Sequence, residues 1–318
     1  MCSLSSESFN CSIKYKQFDI KLQLSRENCI SRFPTATIRG GFGITLRKLV
    51  CPTIEIPCTG CILRQNCIYC YLFETIPASD AARMRQYKAI PHPFTLWCAQ
   101  QGDIVNVKLV LIGKAIKSLP YFVYTLNKLG SQGLGKGHIR YRLLQVSTDN
   151  RLLYEDGKSD VFMEFDPDIC QVREAKAAQG ECTLDFYSPL LLRKDGRIVD
   201  RYDNYAFFAT LLRRITTLYA IHCDGENFDD CRELLRKWEN SITAEVNMEW
   251  VKNKRFSTRQ KREIDYDGFI GEVKLTGDIG TFLPFLEAGE ILSVGKNTAF
   301  GFGKYRLKDL KILPSHRI

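Results

Sequence analysis

Apolar and polar residues alternate with a period of two over the first informative stretch of the chain. Phe18, Ile20, Leu22 and Leu24 are apolar, and Asp19, Lys21 and Gln23 between them are polar. That period places one set of side chains on one face, so the stretch predicts a half-buried strand. After a turn at Phe33-Pro34, Ile38–Val50 reads as a helix with a glycine-rich start, Ile44, Leu46 and Leu49 inward and Arg47 and Lys48 outward. Phe94–Cys98 and Ile104–Leu111 predict two more strands. Leu119, Phe122, Val123, Leu126 and Leu129 return at helical spacing with Gly130 as a stop, and Arg140–Val146 is a closing strand. The pattern then starts again. Cys182, Leu184 and Phe186 alternate against Thr183 and Asp185 until Ser188-Pro189. Tyr205–His222 carries a helical stripe of Phe208, Leu211, Leu212, Ile215, Leu218 and Tyr219, with Arg213 and Arg214 off it. Ile242, Ala244, Val246, Met248 and Trp250 alternate in a long strand, and Val273–Leu307 reads as strand, short apolar helix, glycine-rich loop and strand.

The order strand, helix, strand, strand, helix, strand therefore occurs twice. It predicts an α+β chain of two tandem ferredoxin-like (βαββαβ) domains, 1–149 and 182–318. A cysteine-rich insert at 51–74 interrupts the first, and the polar stretch 150–181 reads as a linker holding a hairpin. Residues 1–15 read as a polar start. The halves also share wording, the mark of an internal repeat. Both have Val-Lys-Leu on a strand, and Leu-Pro-aromatic at a helix start (Leu119-Pro120-Tyr121, Leu283-Pro284-Phe285). Both end in Gly-x-Gly-Lys before Tyr-Arg-Leu: Gly133–Lys136 before Tyr141–Leu143, and Gly301–Lys304 before Tyr305–Leu307. The first copy carries the additional residues Gly137 to Arg140.

Charge gives these loops a meaning. The 318 residues carry a formal net charge of +9, which favours an acidic partner, nucleic acid first. Glycines let backbone approach closely, and the lysines among them make a polyanion a natural ligand. Neither an apolar run of membrane-spanning length nor a basic-then-apolar leader occurs, so a cytosolic protein without a membrane partner is expected.

Thirteen cysteines, an odd number, fit reduced thiols rather than a disulfide scaffold. Five of them, Cys51, Cys58, Cys61, Cys67 and Cys70, fall within twenty residues. Two Cys-x2-Cys pairs suit a tetrahedral structural zinc site, with an iron–sulfur cluster as the alternative. Which four of the five ligate stays open.

The duplicated domains with glycine-rich loops resemble the RAMP superfamily of CRISPR systems. The tail Val294–Tyr305 (VGKNTAFGFGKY) resembles its C-terminal glycine-rich signature, and Arg255-x-Ser257-x-Arg259-Gln260 also fits. The cysteine block with Tyr71-Leu72-Phe73-Glu74 resembles the cysteine-bearing subset of its repeat-RNA processing endoribonucleases. The resemblance implies cleavage of precursor CRISPR RNA within each repeat, without a catalytic metal. The RNA's own 2′-OH attacks, leaving a 2′,3′-cyclic phosphate and a 5′-OH. The partner is CRISPR repeat RNA, with other CRISPR effector or adaptation proteins beyond it. RNA contact falls to Lys136, Arg140, Arg142, Arg255, Arg259, Lys296 and Lys304 and to Gly295, Gly301 and Gly303. Family members often carry a catalytic histidine near the start of the first helix, and Ile38–Val50 has none. Of His92, His138, His222 and His316, His138 is the candidate acid–base group, beside Lys136, Arg140 and Arg142. His222 reads as a core or helix-end residue and His92 as part of a Pro-x-Pro turn. Arg39, Arg47 and Lys48 are the further candidates for catalysis. The competing readings are a non-catalytic guide-RNA-binding RAMP subunit and an unrelated zinc-structured scaffold.

Overall fold

A computed structural model describes residues 9–25, 30, 33–75, 90–135, 137–158, 165–226, 228, 231–257 and 262–313. The alternation seen in sequence becomes strand β1 (Asn10–Leu24), on which Phe18, Ile20, Leu22 and Leu24 are all buried. The strand starts earlier than the polar start at 1–15 suggested: Cys11 and Ile13 are buried too, on the face opposite to Phe18–Leu24, the parity of the buried positions changing before Lys16.

Helix α1 (Pro34–Val50) begins with proline in its first turn, where a missing N–H costs nothing. It buries Ile38, Phe42 and Leu46, but Ile44 is exposed rather than inward. The cysteine block follows, ending in the short helix α2 (Ile68–Phe73). Then come β2 (Phe94–Gln101), β3 (Ile104–Ile112), helix α3 (Leu119–Gln132) and β4 (Tyr141–Thr148).

The stretch 150–181 is not a linker. It supplies β5 (Arg151–Glu155), which pairs with β4, and β6 (Asp168–Arg173), which pairs with the first half of β1. Buried Lys16 holds this region, its ammonium bound to Asp149 and, at 3.2 Å, to Asp168. The first sheet runs β2-β3-β1-β4-β5.

The second half contains β7 (Gly180–Leu190), the hairpin β8 (Arg193–Lys194) and β9 (Arg197–Ile198), and helix α4 (Asn204–His222). It continues with α5 (Arg232–Ser241), β10 (Ile242–Val251), the hairpin β11 (Lys254–Ser257) and β12 (Arg262–Asp265), β13 (Gly268–Gly277), α6 (Ile279–Leu292) and β14 (Tyr305–Ile312). Its sheet runs β10-β13-β7-β14. In each half the second strand of the βαββαβ unit is at one edge, next to the third, and the first strand lies between the third and the last. This is the ferredoxin-like order, formed twice.

Pro284 departs from expectation. It lies inside α6, not in its first turn. The Asp278 carboxylate caps the helix, accepting from the Thr281 N–H at 3.3 Å, and so starts it a turn earlier. Helix α5 has little apolar content. Only Leu234 and Trp238, four residues apart, are buried on it, and they hold it against α4. Trp238 stacks on Phe208 with ring centroids 4.3 Å apart. Among the described residues no helix is long and apolar enough to cross a membrane.

Candidate functional site

The two glycine loops, alike in sequence, do different work. Seven backbone N–H groups of the second loop are satisfied inside the protein. Val294 donates to Gly303, Lys296 to Leu191, and Gly303 to Pro189, each at 2.9 Å. Phe300, Gly301 and Phe302 donate within the turn at Asn297 and Thr298. The Lys304 N–H donates to Ser188 Oγ at 2.7 Å. These amides are committed to the fold and are not offered to a phosphate. The glycines serve that closure. Gly303 has φ +66, and a Cβ there would stand 1.6 Å from the Val294 carbonyl oxygen. Gly301 packs on the other half of the molecule, where a Cβ would lie 2.8 Å from Thr35 Cγ2. At Gly295 the obstacle is the Leu191 carbonyl oxygen, at 2.8 Å.

The loop is thereby wedged against the first turns of α1. The Phe300 ring lies under the Arg39 guanidinium, 4.1 Å from it to the ring centroid, and Phe73 faces the same guanidinium at 4.8 Å. Arg39 Nη2 lies 3.3 Å from His92 Nε2. A guanidinium can only donate, so His92 accepts on Nε2. Burial, then Arg39, pushes the His92 imidazole down to about 3, so it is neutral.

The first loop, Gly133–Arg140, reaches the same helix from outside. A Cβ on Gly135 would meet Thr37 Cγ2 at 3.7 Å. His138 is exposed, at φ +45, inside a turn closed by Leu134 and Ile139. Arg140 and Arg142 line a cleft of about 780 Å³ with Asn127, Ser131, Asp103 and Asp156. Arg142 is already held by Asp156, its Nε donating at 2.9 Å.

The remaining candidates scatter. Lys48 is exposed nine residues after Arg39, about 13 Å further along α1 at the helical rise. Arg47 donates to the carbonyls of Ile54 and Ile56 and so braces the cysteine block. Lys304 is buried rather than presented to solvent, and its ammonium is pushed down to about 8, first by burial. Lys296 is partly exposed near Arg193 and Arg213. Arg255 lies on β11. Lys136, Arg259 and His316 lie outside the described residues. His222 is fully buried, as a core residue should be. Its Nε2 faces the Pro91 carbonyl at 3.1 Å, so it donates there, and Nδ1 accepts from the Tyr71 hydroxyl at 3.3 Å.

Two groups were hidden from sequence reasoning. His92 comes beside Arg39 through a contact between residues far apart in the chain. Arg214, read as lying off the apolar stripe, is buried, because α4 is covered on more than one side.

In the cysteine block, the Cys70 thiol lies within hydrogen-bonding reach of Cys58 and Cys67, and burial together with these neighbours raises it. Thr53 Oγ1 lies 3.9 Å from Cys61 Sγ. Among the described residues no group of three or more Cys, His, Asp or Glu is arranged to hold a metal ion.

Comparison with known proteins follows the same division. Residues 184–305 match the family model of CRISPR-associated endoribonuclease Cas6, and residues 13–165 match a model described as an N-terminal domain. A Cas6 product complex shares the fold at TM-score 0.55 and 16% identity, over 92% of this chain and 99% of that one. Thermus thermophilus Cas6 does so at TM-score 0.52 and 14% identity, over 93% and 98%. An uncharacterized protein of Archaeoglobus fulgidus is 23% identical over 278 residues, 85% of this chain and 90% of that protein.

Proposed function

We propose, on the premise that the chain belongs to the Cas6 endoribonuclease family through its domain at residues 184–305, that it cuts precursor CRISPR RNA within the repeats. The observation that supports this reading is that both glycine loops pack against the first turns of α1, the second beside Arg39 and His92, and the His138 loop at Thr37 on another face of the helix. Strand scission by the RNA's own 2′-OH needs a proton acceptor, a donor to the leaving 5′-oxygen and positive charge around the phosphorane. Exposed His138 is the proton-transfer group. Arg39, flattened between Phe73 and Phe300, supplies positive charge. Arg140 and Lys296 hold the backbone on either side. No metal ion takes part in this chemistry.

Labelled repeat RNA incubated with the protein in EDTA tests the reading. The expected result is one cut per repeat, leaving a 2′,3′-cyclic phosphate. Tight binding without a cut favours a guide-holding subunit instead. His138→Ala is expected to slow single-turnover cleavage about 10²-fold; an unchanged rate rejects that assignment.

For the cysteine insert the reading is a structural zinc. The gathering of the Cys58 and Cys67 thiols on Cys70 supports it, with the fourth ligand from Cys51 or Cys61. Metal analysis of the purified chain is expected to give about one zinc per chain by that four-ligand rule. Less than a tenth of that, with no iron, removes the site.

A further inference from the structure

Two cations are buried at the seam between the two halves. Arg214 of α4 is 5% exposed. Its Nε donates to the Leu292 carbonyl at 2.9 Å, and its Nη2 is buried with no partner. Lys304, at the start of β14, is 6% exposed. Among the described residues neither cation forms an ion pair. Basic side chains lie near them, of which the two imidazoles are held neutral. Arg39 comes from α1, His92 from the approach to β2, and His222 from the end of α4.

Electrostatics agrees with the geometry. Burial pushes Arg214 down to about 9, while Arg214 in turn depresses Lys304, His92 and His222. Lys108 adds to the field on Lys304, and the partly buried Glu290 is the acid that offsets it. Its own carboxyl is raised by burial, which reduces its value as a counter-charge. Burying two cations without a partner is costly. An anion between them would satisfy both.

We propose that the seam is an anion site, in which Arg214 and Lys304 hold a tetrahedral phosphate-class oxyanion between the two halves. Free inorganic phosphate and the phosphodiester of an RNA strand present the same oxygens. The proposal rests on the fold and burial, not on cleavage, so it can fail while RNA processing stands. If the occupant is the RNA backbone, it deepens the processing reading by adding a contact on α4 to those around α1.

The test is thermal unfolding of the full chain in sodium phosphate against sodium chloride at matched ionic strength. Phosphate is expected to raise the midpoint saturably, by about 4 °C when near-saturating. Arg214→Met and Lys304→Met each remove the phosphate-specific increment. In chloride these variants keep or exceed the parent midpoint, because an unpaired buried charge has gone. Phosphorus NMR of inorganic phosphate mixed with the unmodified protein gives a reading independent of any variant: line broadening is expected, reversed by sulfate. Repeat RNA that abolishes the phosphate increment, and binds more weakly to both variants, identifies the phosphodiester as occupant; an increment that RNA leaves intact identifies free phosphate. A midpoint indifferent to phosphate, with no broadening, overturns the site. So does an increment equal in the parent and both variants.

Discussion

Gly303→Ala is expected to destabilise the chain by about 3 kcal/mol or more, through strain and steric overlap together. The residue sits at φ +66, and the added Cβ would meet the Val294 carbonyl oxygen at 1.6 Å. The obstacle is backbone and the Cβ has no torsion of its own, so no rotamer change relieves the overlap. The Val294–Gly303 and Gly303–Pro189 hydrogen bonds that close the loop are lost with it. Because this loop wedges against α1, loosening it frees Phe300 from Arg39, and RNA cleavage should fall together with stability. Gly40→Ala is the control. It lies inside α1 with open space where its Cβ would go, and a helix-interior alanine should add about 0.5–1 kcal/mol. Urea denaturation of the two variants reads the contrast directly. Equal midpoints would mean that the loop closure contributes little.

Acid is expected to weaken the fold well before its carboxylates protonate. Burial holds the His222 imidazole down at about 4 and the His92 imidazole at about 3, from an ordinary value near 6.5. Between those limits an unfolded chain takes up protons that the native chain refuses. Stability is therefore complete above about pH 6.5 and falls as pH drops towards 4. At pH 5 the loss is about 2 kcal/mol for each histidine. Groups facing the pair are of one sign: Arg39 and Arg214 on His92, Arg214 and Lys114 on His222. Glu181, lowered to about 2 by its hydrogen bonds to Lys274 and Lys311, acts in a separate window below pH 4.5. Denaturation at pH 7.5 and pH 5 measures the loss, and His222→Gln should remove roughly half of its pH dependence by the same linkage. A flat profile over that range would show that these rings are not held neutral.

Much of the fold was readable because its central strands keep one face dry. The alternation read over Phe18–Leu24 is kept on β1, and Cys182, Leu184 and Phe186 are all buried on β7, with Thr183 buried beside them. It faded where burial is one residue deep. β6 buries Cys170 and Val172 but leaves Ile169 61% exposed, so six residues of edge strand looked like connection. Reading α4 by a single apolar stripe assumed one wet face. The helix has little of one, and Arg214 fell on the wrong side of that assumption. The glycine signature marked a loop of close approach but not what approaches it. Glycine spacing speaks of close approach, and only the fold tells whether backbone or ligand does the approaching. His92 carried no local signal, since its partner Arg39 lies fifty-three residues away in the chain.

The length of β1 has a mechanical meaning. Its opening residues, Cys11 and Ile13, sit in the apolar interior of the C-terminal half with Leu184 and Phe285, while Phe18 to Leu24 sit in that of the N-terminal half. One rod is thus embedded at both ends, like a dowel through two blocks. The duplicated units cannot swing about a hinge at that point, and neither can be lifted away without stripping oily surface from the other. Any ligand that spans both halves meets a stiff bed.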